Sequence, residues 1–230
     1  MRKLFTPFNL LIFFVALFFA VGLDAETWKI TSLNWQPYSG RNLSNQGKSI
    51  QKLRNLLEKK GIKLQVEFYP WKRAQHIAKK NEYVGYFPAW PEEVGEGFVA
   101  SPPIDTSKLG ILTRTSKNLK YDNIDDLFEK YKVGIVSTYS YPEPIEKAKQ
   151  RHPLHLDWSS NEISLVRKLS VGRFDVALTD PKVMLFLAEK EGISNIKVLN
   201  ASVENKPLVL AFRNDPDNKK RIEILKQLLR

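Results

Sequence analysis

An α/β fold built on parallel sheets is predicted by three observations. Strand-like and helix-like patterns alternate along the chain. The connections between strands are long enough for crossover helices, which parallel pairing requires. Residues 26–230 also supply enough chain for a sizeable core, in one large domain or two small ones.

The elements follow in order. Trp28 to Leu33 reads as a first strand. Ile50, Leu53, Leu56 and Leu57 mark one helix face, and Gly61 suits its C-terminus. Ile62, Leu64, Val66 and Phe68 alternate as a half-buried strand does. Pro70 is placed as a first helical residue, with Ala74, Ile77 and Ala78 on one face. Tyr83 to Phe87 is a short aromatic strand. Tyr121 to Tyr131 reads as a helix led by Asp122-Asn123, which suits a cap. Lys132 to Ser137 is a strand, Pro144 to Gln150 a helix and Leu154 to Trp158 a strand. Ser159 and Glu162 have capping-box spacing before a helix that runs to Gly172. Phe174 to Leu178 is a strand, and Pro181 opens a helix that Gly192 closes. Two strands, Ile196 to Leu199 and Leu208 to Phe212, precede a final helix marked by Ile222, Leu225 and Leu229.

The first 25 residues read as a cleaved secretory signal peptide. Arg2 and Lys3 form a positive start, and Leu10 to Val21 is an unbroken run of twelve apolar residues. A membrane-spanning helix needs ~20 apolar residues, so this run is short for an anchor. Small residues allow cleavage after Gly22 or after Ala25.

The chain has no cysteine, which excludes disulfides, thiolate metal sites and a lipid-bearing cysteine. An exported, cysteine-free chain is expected in the periplasm. The net charge is +11, but the basic residues are scattered among Asp and Glu without a dense run. That pattern reads as a solvated surface, and no nucleic-acid partner is expected.

Ligands of parallel α/β folds bind beyond the carboxyl ends of the strands. Trp35, Tyr38, Trp71, Trp90, Tyr139 and Tyr141 all fall there and suit the walls of a small-molecule cleft. Two charged residues join them. Asp180 follows a strand and precedes Pro181, so it fits either a substrate ammonium or a helix N-cap. Arg73, in the first turn of a helix, fits either a carboxylate clamp or a solvated position.

Enzyme signatures are weak. His76, His152 and His155 lack partners at metal-ligand spacing, and no nucleophile elbow, phosphate loop or dinucleotide fingerprint is present. Glu92, Glu93 and Glu96 cluster after a strand, where acid catalysis is conceivable and a solvated loop is the plainer reading. No cofactor or metal is expected, and the chain reads as a binder rather than an enzyme.

Four ordered stretches resemble the bacterial family 3 extracellular solute-binding proteins, the periplasmic amino-acid receptors of ABC importers. They are Ser32-Leu33-Asn34-Trp35-Gln36-Pro37-Tyr38, Phe98-Val99-Ala100-Ser101-Pro102-Pro103-Ile104, Lys132-Val133-Gly134-Ile135-Val136, and Gly172 through Asp180. The resemblance implies a two-lobed type II periplasmic binding fold with two crossovers. Lobe one would take residues 26–111 and 208–230, and lobe two 112–207. It implies a monomer that captures a small polar solute, an amino acid or derivative, for an inner-membrane ABC permease. Trp35 would stack on the ligand and Trp71 would form a wall. Ser140 would offer a hydroxyl to a carboxylate, and Asp180 would bind an α-ammonium. Relatives that dehydrate cyclic acids supply one alternative, and a receptor that docks on a membrane sensor when closed is another.

Two departures bear on the ligand. The arginine that the family places before the Phe-x-x-Ser segment is missing from Glu92-Glu93-Val94-Gly95-Glu96-Gly97. The usual Asp of the preceding loop is replaced by Val84. Either Arg73 takes over the anion, or the ligand is not a simple α-amino acid.

Overall fold

The computed structural model describes residues 26–230, and the signal-peptide reading lies outside the described residues. Nine strands and seven α-helices alternate through them. The strands are β1 (Thr27–Ser32), β2 (Lys63–Phe68), β3 (Gly85–Ala89), β4 (Phe98–Ala100), β5 (Asp105–Arg114), β6 (Val133–Val136), β7 (Leu156–Ser159), β8 (Val176–Thr179) and β9 (Ile196–Arg213). The helices are α1 (Lys48–Glu58), α2 (Trp71–Ile77), α3 (Ile124–Lys130), α4 (Glu143–Arg151), α5 (Glu162–Ser170), α6 (Pro181–Lys190) and α7 (Pro216–Leu228).

The strands run in the order β2-β1-β3-β9-β5-β8-β6-β7, with β4 also on β9. Each half holds one parallel trio, β2-β1-β3 and β8-β6-β7. The trios form two lobes, joined by two antiparallel strands that cross between them. β5 and β9 pair from Asp105↔Leu208 to Arg114↔Ile196. β9 then continues beside β3 and β4, while β5 pairs with β8. Helices cover the sheets, because strands this apolar must be buried on both faces. Every residue of β3, β6 and β8 is buried.

Three local expectations are corrected, and one strand carries no pattern in the sequence. Pro70 is the N-cap of α2 rather than its first residue, since its ψ of 142° is not helical. The cap of α5 is Asn161, whose side chain accepts from Ser164 N at 2.9 Å; Ser159 belongs to β7 instead. The two short strands expected within 196–212 are one strand of 18 residues. β5 is buried along most of its length, so its sequence shows no clean alternation.

One glycine is set by the fold. A Cβ on Gly110 would lie 2.5 Å from Pro181 Cγ, so only glycine lets the first turn of α6 pack on β5. That contact fixes the helix start at which Asp180 sits.

Candidate interlobe site

The carboxyl ends of the parallel strands face each other across a cleft of about 620 Å³. Lobe one lines it with Leu33, Asn34, Arg41 and Trp71, and lobe two with Thr138, Tyr139, Glu162 and Phe186. A narrow inner pocket opens beside it, walled by Trp35, Trp71, Trp90, Glu93 and Tyr139. A third cavity of about 320 Å³ flanks it and includes Lys72, Gln75, His76, Glu93 and Ser140.

An aromatic chain crosses the inner pocket. Trp35 stacks on Tyr38 with centroids 4.5 Å apart and meets Trp90 edge-on at 6.2 Å. Trp90 in turn meets Tyr139 edge-on at 5.3 Å, which joins the two lobes. The Trp90 indole N–H donates to Ser107 Oγ at 2.9 Å, so that ring is pinned to β5. Such edge-on and offset pairs are the favoured geometries for aromatic side chains.

Asp180 is completely buried and saturated. Its Oδ1 accepts Lys182 N at 2.7 Å and Val183 N at 3.1 Å, capping α6. Its Oδ2 accepts the Tyr38 hydroxyl at 2.9 Å and Lys108 N at 2.9 Å. Tyr38 therefore serves as an interlobe tie, and burial beside that carboxylate pushes its phenol far above the usual range. Trp71 is buried and faces the cleft. Arg73, two residues on, is exposed, and its guanidinium lies 5.5 Å from the Tyr69 ring centroid. Ser140 is half-buried and lines the flanking cavity.

Two carboxylates that sequence reasoning did not assign to the site are buried in it. Glu93, expected in a solvated loop, is 8% exposed. Its Oε1 accepts the Trp71 indole N–H at 2.8 Å and its Oε2 accepts Trp90 N at 3.1 Å. Burial pushes its carboxyl up to about 7, the two donors and Lys72 pull the other way, and Glu162 adds to the rise. Glu162, at the start of α5, is also 8% exposed and accepts the Tyr139 hydroxyl. Burial raises its carboxyl above the ordinary range as well. The signal for Glu162 was available: β7 is another parallel strand, so the residues after it face the same cleft. The turn at Pro91–Glu93 carries no periodicity, so the burial of Glu93 had no sequence signal.

Lys206, on β9 behind Trp90, is a buried ammonium. It pairs with Glu92 at 2.6 Å and Glu204 at 3.1 Å, and lies 5.5 Å from the Trp90 ring centroid. Among the described residues no cluster of three His, Asp or Glu side chains could hold a metal ion, and no helix is long and apolar enough to cross a membrane.

No protein-family model and no curated protein matches the chain. Solved structures do. The sensor domain of a histidine kinase with similarity to periplasmic binding proteins aligns with TM-score 0.71 at 15% identity, covering 88% of this chain and 91% of that one. An ancestral arginine-binding protein bound to arginine aligns with TM-score 0.71 at 17% identity, covering 88% and 90%. An arginine transport periplasmic binding protein from Legionella pneumophila aligns with TM-score 0.67 at 19% identity, covering 89% and 93%. At these identities the likeness concerns the fold, and the chain has the two-lobed fold of the periplasmic amino-acid-binding proteins.

Proposed function

We propose that this chain is a solute-binding protein that captures a small polar molecule, an amino acid or a derivative, between its lobes. In this reading it is exported to the periplasm, acts as a monomer and delivers its solute to an inner-membrane ABC permease. The lobes divide at 111/112 and 207/208, both within the paired strands β5 and β9. The observation that carries the reading is the convergence of strand ends from both lobes on one aromatic-walled cleft of about 620 Å³. That size suits a small ligand, and a few polar groups among aromatic walls is the usual composition of such sites. Trp35, Trp71, Trp90 and Tyr139 supply the walls, and Ser140 reaches the flanking cavity.

A thermal-shift screen of the purified protein against amino acids, small peptides and polyamines tests this. Ligand at 100 times its dissociation constant adds ~2.7 kcal/mol to stability. Absence of any shift would count against capture of that class.

A signalling reading is favoured by one observation, the similarity to a histidine kinase sensor domain. Capture and signalling use the same cleft and the same closure. Permease and ATPase genes beside this one favour import, and co-purification with a membrane sensor favours signalling. Turnover of a bound cyclic acid, lost in Glu93→Gln, would replace binding with catalysis.

A further inference from the structure

The inner cleft and its rim differ in charge. The residues walling the inner pocket include Glu93 and no basic side chain. Arg41, Lys72 and Lys190 line the wider cleft and are exposed. The buried ammonium of Lys206 is already matched by Glu92 and Glu204. The inner pocket therefore holds an acidic side chain with no basic side chain among the residues that wall it.

One buried carboxylate comes from each lobe. Glu93 arrives from the turn after β3 and Glu162 from the start of α5. Trp71 and Tyr139 link them to the same space. Trp71 donates to Glu93, Tyr139 donates to Glu162, and both rings line the inner pocket and the wider cleft. A carboxylate offers roughly four acceptor positions. Asp180 uses all four on protein donors, whereas Glu93 uses two.

An independent observation also points to a ligand. Trp35 walls the same inner pocket, is only 5% exposed, and its indole N–H has no hydrogen-bond partner. A buried donor left unpaired costs stability unless something supplies an acceptor.

We infer that Glu93 and Glu162 together receive the cationic end of the solute, an ammonium or guanidinium held between Trp71 and Tyr139, while an acceptor atom of the same molecule takes the Trp35 indole N–H. This rests on the solute-binding reading and moves the cation subsite away from Asp180. The aromatic faces add cation–π attraction in a desolvated site. The two carboxylates belong to different lobes, so a cation between them draws the lobes together. Closure and charge recognition are then one event.

Isothermal titration calorimetry of the purified protein tests this with five probes. Arginine, glutamine and putrescine carry an ammonium; succinate and glucose do not. The expected result is that cation-bearing probes bind and the other two do not. Glu93→Gln and Glu162→Gln should each weaken the best binder by about ten-fold or more, the range expected for hydrogen bonds to charged groups. Both changes keep side-chain shape and remove a buried charge, so folding survives. Trp35→Phe, which keeps an aromatic ring but loses the N–H and the second ring of the indole, should weaken it by about five-fold or more. Tight binding of succinate or glucose, or a cation-bearing probe that binds both glutamine variants like wild type, overturns the subsite and leaves solute capture standing. Failure of every probe to bind wild type counts against both readings.

Discussion

Asp180 and Glu93 are both carboxylates buried just beyond strand ends, yet their surroundings fit them for opposite tasks. Asp180 sits at a helix start, where two backbone N–H groups converge on one oxygen, and the Tyr38 hydroxyl and Lys108 N occupy the other. Glu93 sits in an aromatic pocket with two donors, Trp71 and Trp90, and its carboxyl is pushed up to about 7. Burial alone therefore does not mark a functional carboxylate. The number of protein donors decides whether its lone pairs are spent on the fold or left for a ligand.

The largest expected effect breaks the structural side of this comparison. Asp180→Ala removes the cap of α6 and leaves the Tyr38 hydroxyl and Lys108 N–H without their acceptor. The lost cap and stranded donors together should destabilise by about 3–5 kcal/mol, read by urea denaturation. A loss under about 1 kcal/mol with ligand binding abolished would show that Asp180 is a ligand group after all.

Glu93→Gln probes the other side and has a pH signature. The groups facing Glu93 are Trp71 and Lys72 from α2, Trp90 from its own turn, Tyr86 from β3, Tyr139 and Tyr141 from the loop after β6, and Glu162 from α5. Its carboxyl is raised from 4.5 to about 7 on folding, so the native state holds a proton that the unfolded chain releases in that window. Stability is full below the unfolded value and lost as pH rises toward 7, by ~3 kcal/mol at pH 8. Glutamine removes that loss but turns an amide N–H₂ toward one of two N–H donors, which costs about 1 kcal/mol. The variant should be more stable than wild type at pH 8 and less stable at pH 4, below the unfolded value. Thermal melts at the two pH values decide it: a variant less stable than wild type at both would mean that Glu93 stays ionised in the fold.

Tyr38→Phe is smaller, because Asp180 keeps three donors. A loss of about 1 kcal/mol in denaturant unfolding is expected from the missing hydroxyl. A loss comparable to Asp180→Ala would mean that the interlobe tie, rather than the helix cap, is what Asp180 mainly supports.

These contrasts explain what the sequence could carry. The parallel trios were legible because strand patterns such as Leu64 to Phe68, and capping residues such as Asn123, are local signals. β5 was not, since a strand buried on both faces loses its alternation. At the site, the aromatic residues after β1, β2 and β3 were legible from their place beyond strand ends. The state of each carboxylate was not. It depends on donors far away in sequence, such as Tyr38 for Asp180, 142 residues apart, and Trp71 for Glu93, 22 apart. Glu93 looked solvated in sequence because its neighbours Glu92 and Glu96 are acidic. Glu92 spends its charge on the buried Lys206 instead.

The smallest expected effect concerns two arginines and sharpens the question of the ligand's anion. Arg73 stands on the exposed face of α2 above Tyr69, outside the residues that line the cleft. Arg41 does line the cleft, and one guanidinium nitrogen donates to Phe68 O at 2.9 Å, which orients the side chain and leaves other N–H groups free for a carboxylate. If the solute carries a carboxylate, its cationic end lies inward at Glu93 and Glu162, and the carboxylate points outward to this basic rim. Arg73→Gln should then leave affinity for arginine within about two-fold and stability within about 0.5 kcal/mol, as surface changes usually do. Arg41→Gln should weaken arginine but not putrescine, which has no carboxylate. Calorimetric titration of both ligands against both variants separates the possibilities. Loss of arginine binding in Arg73→Gln alone would place the anion over α2, and the polarity from buried acid to exposed base would not orient the ligand.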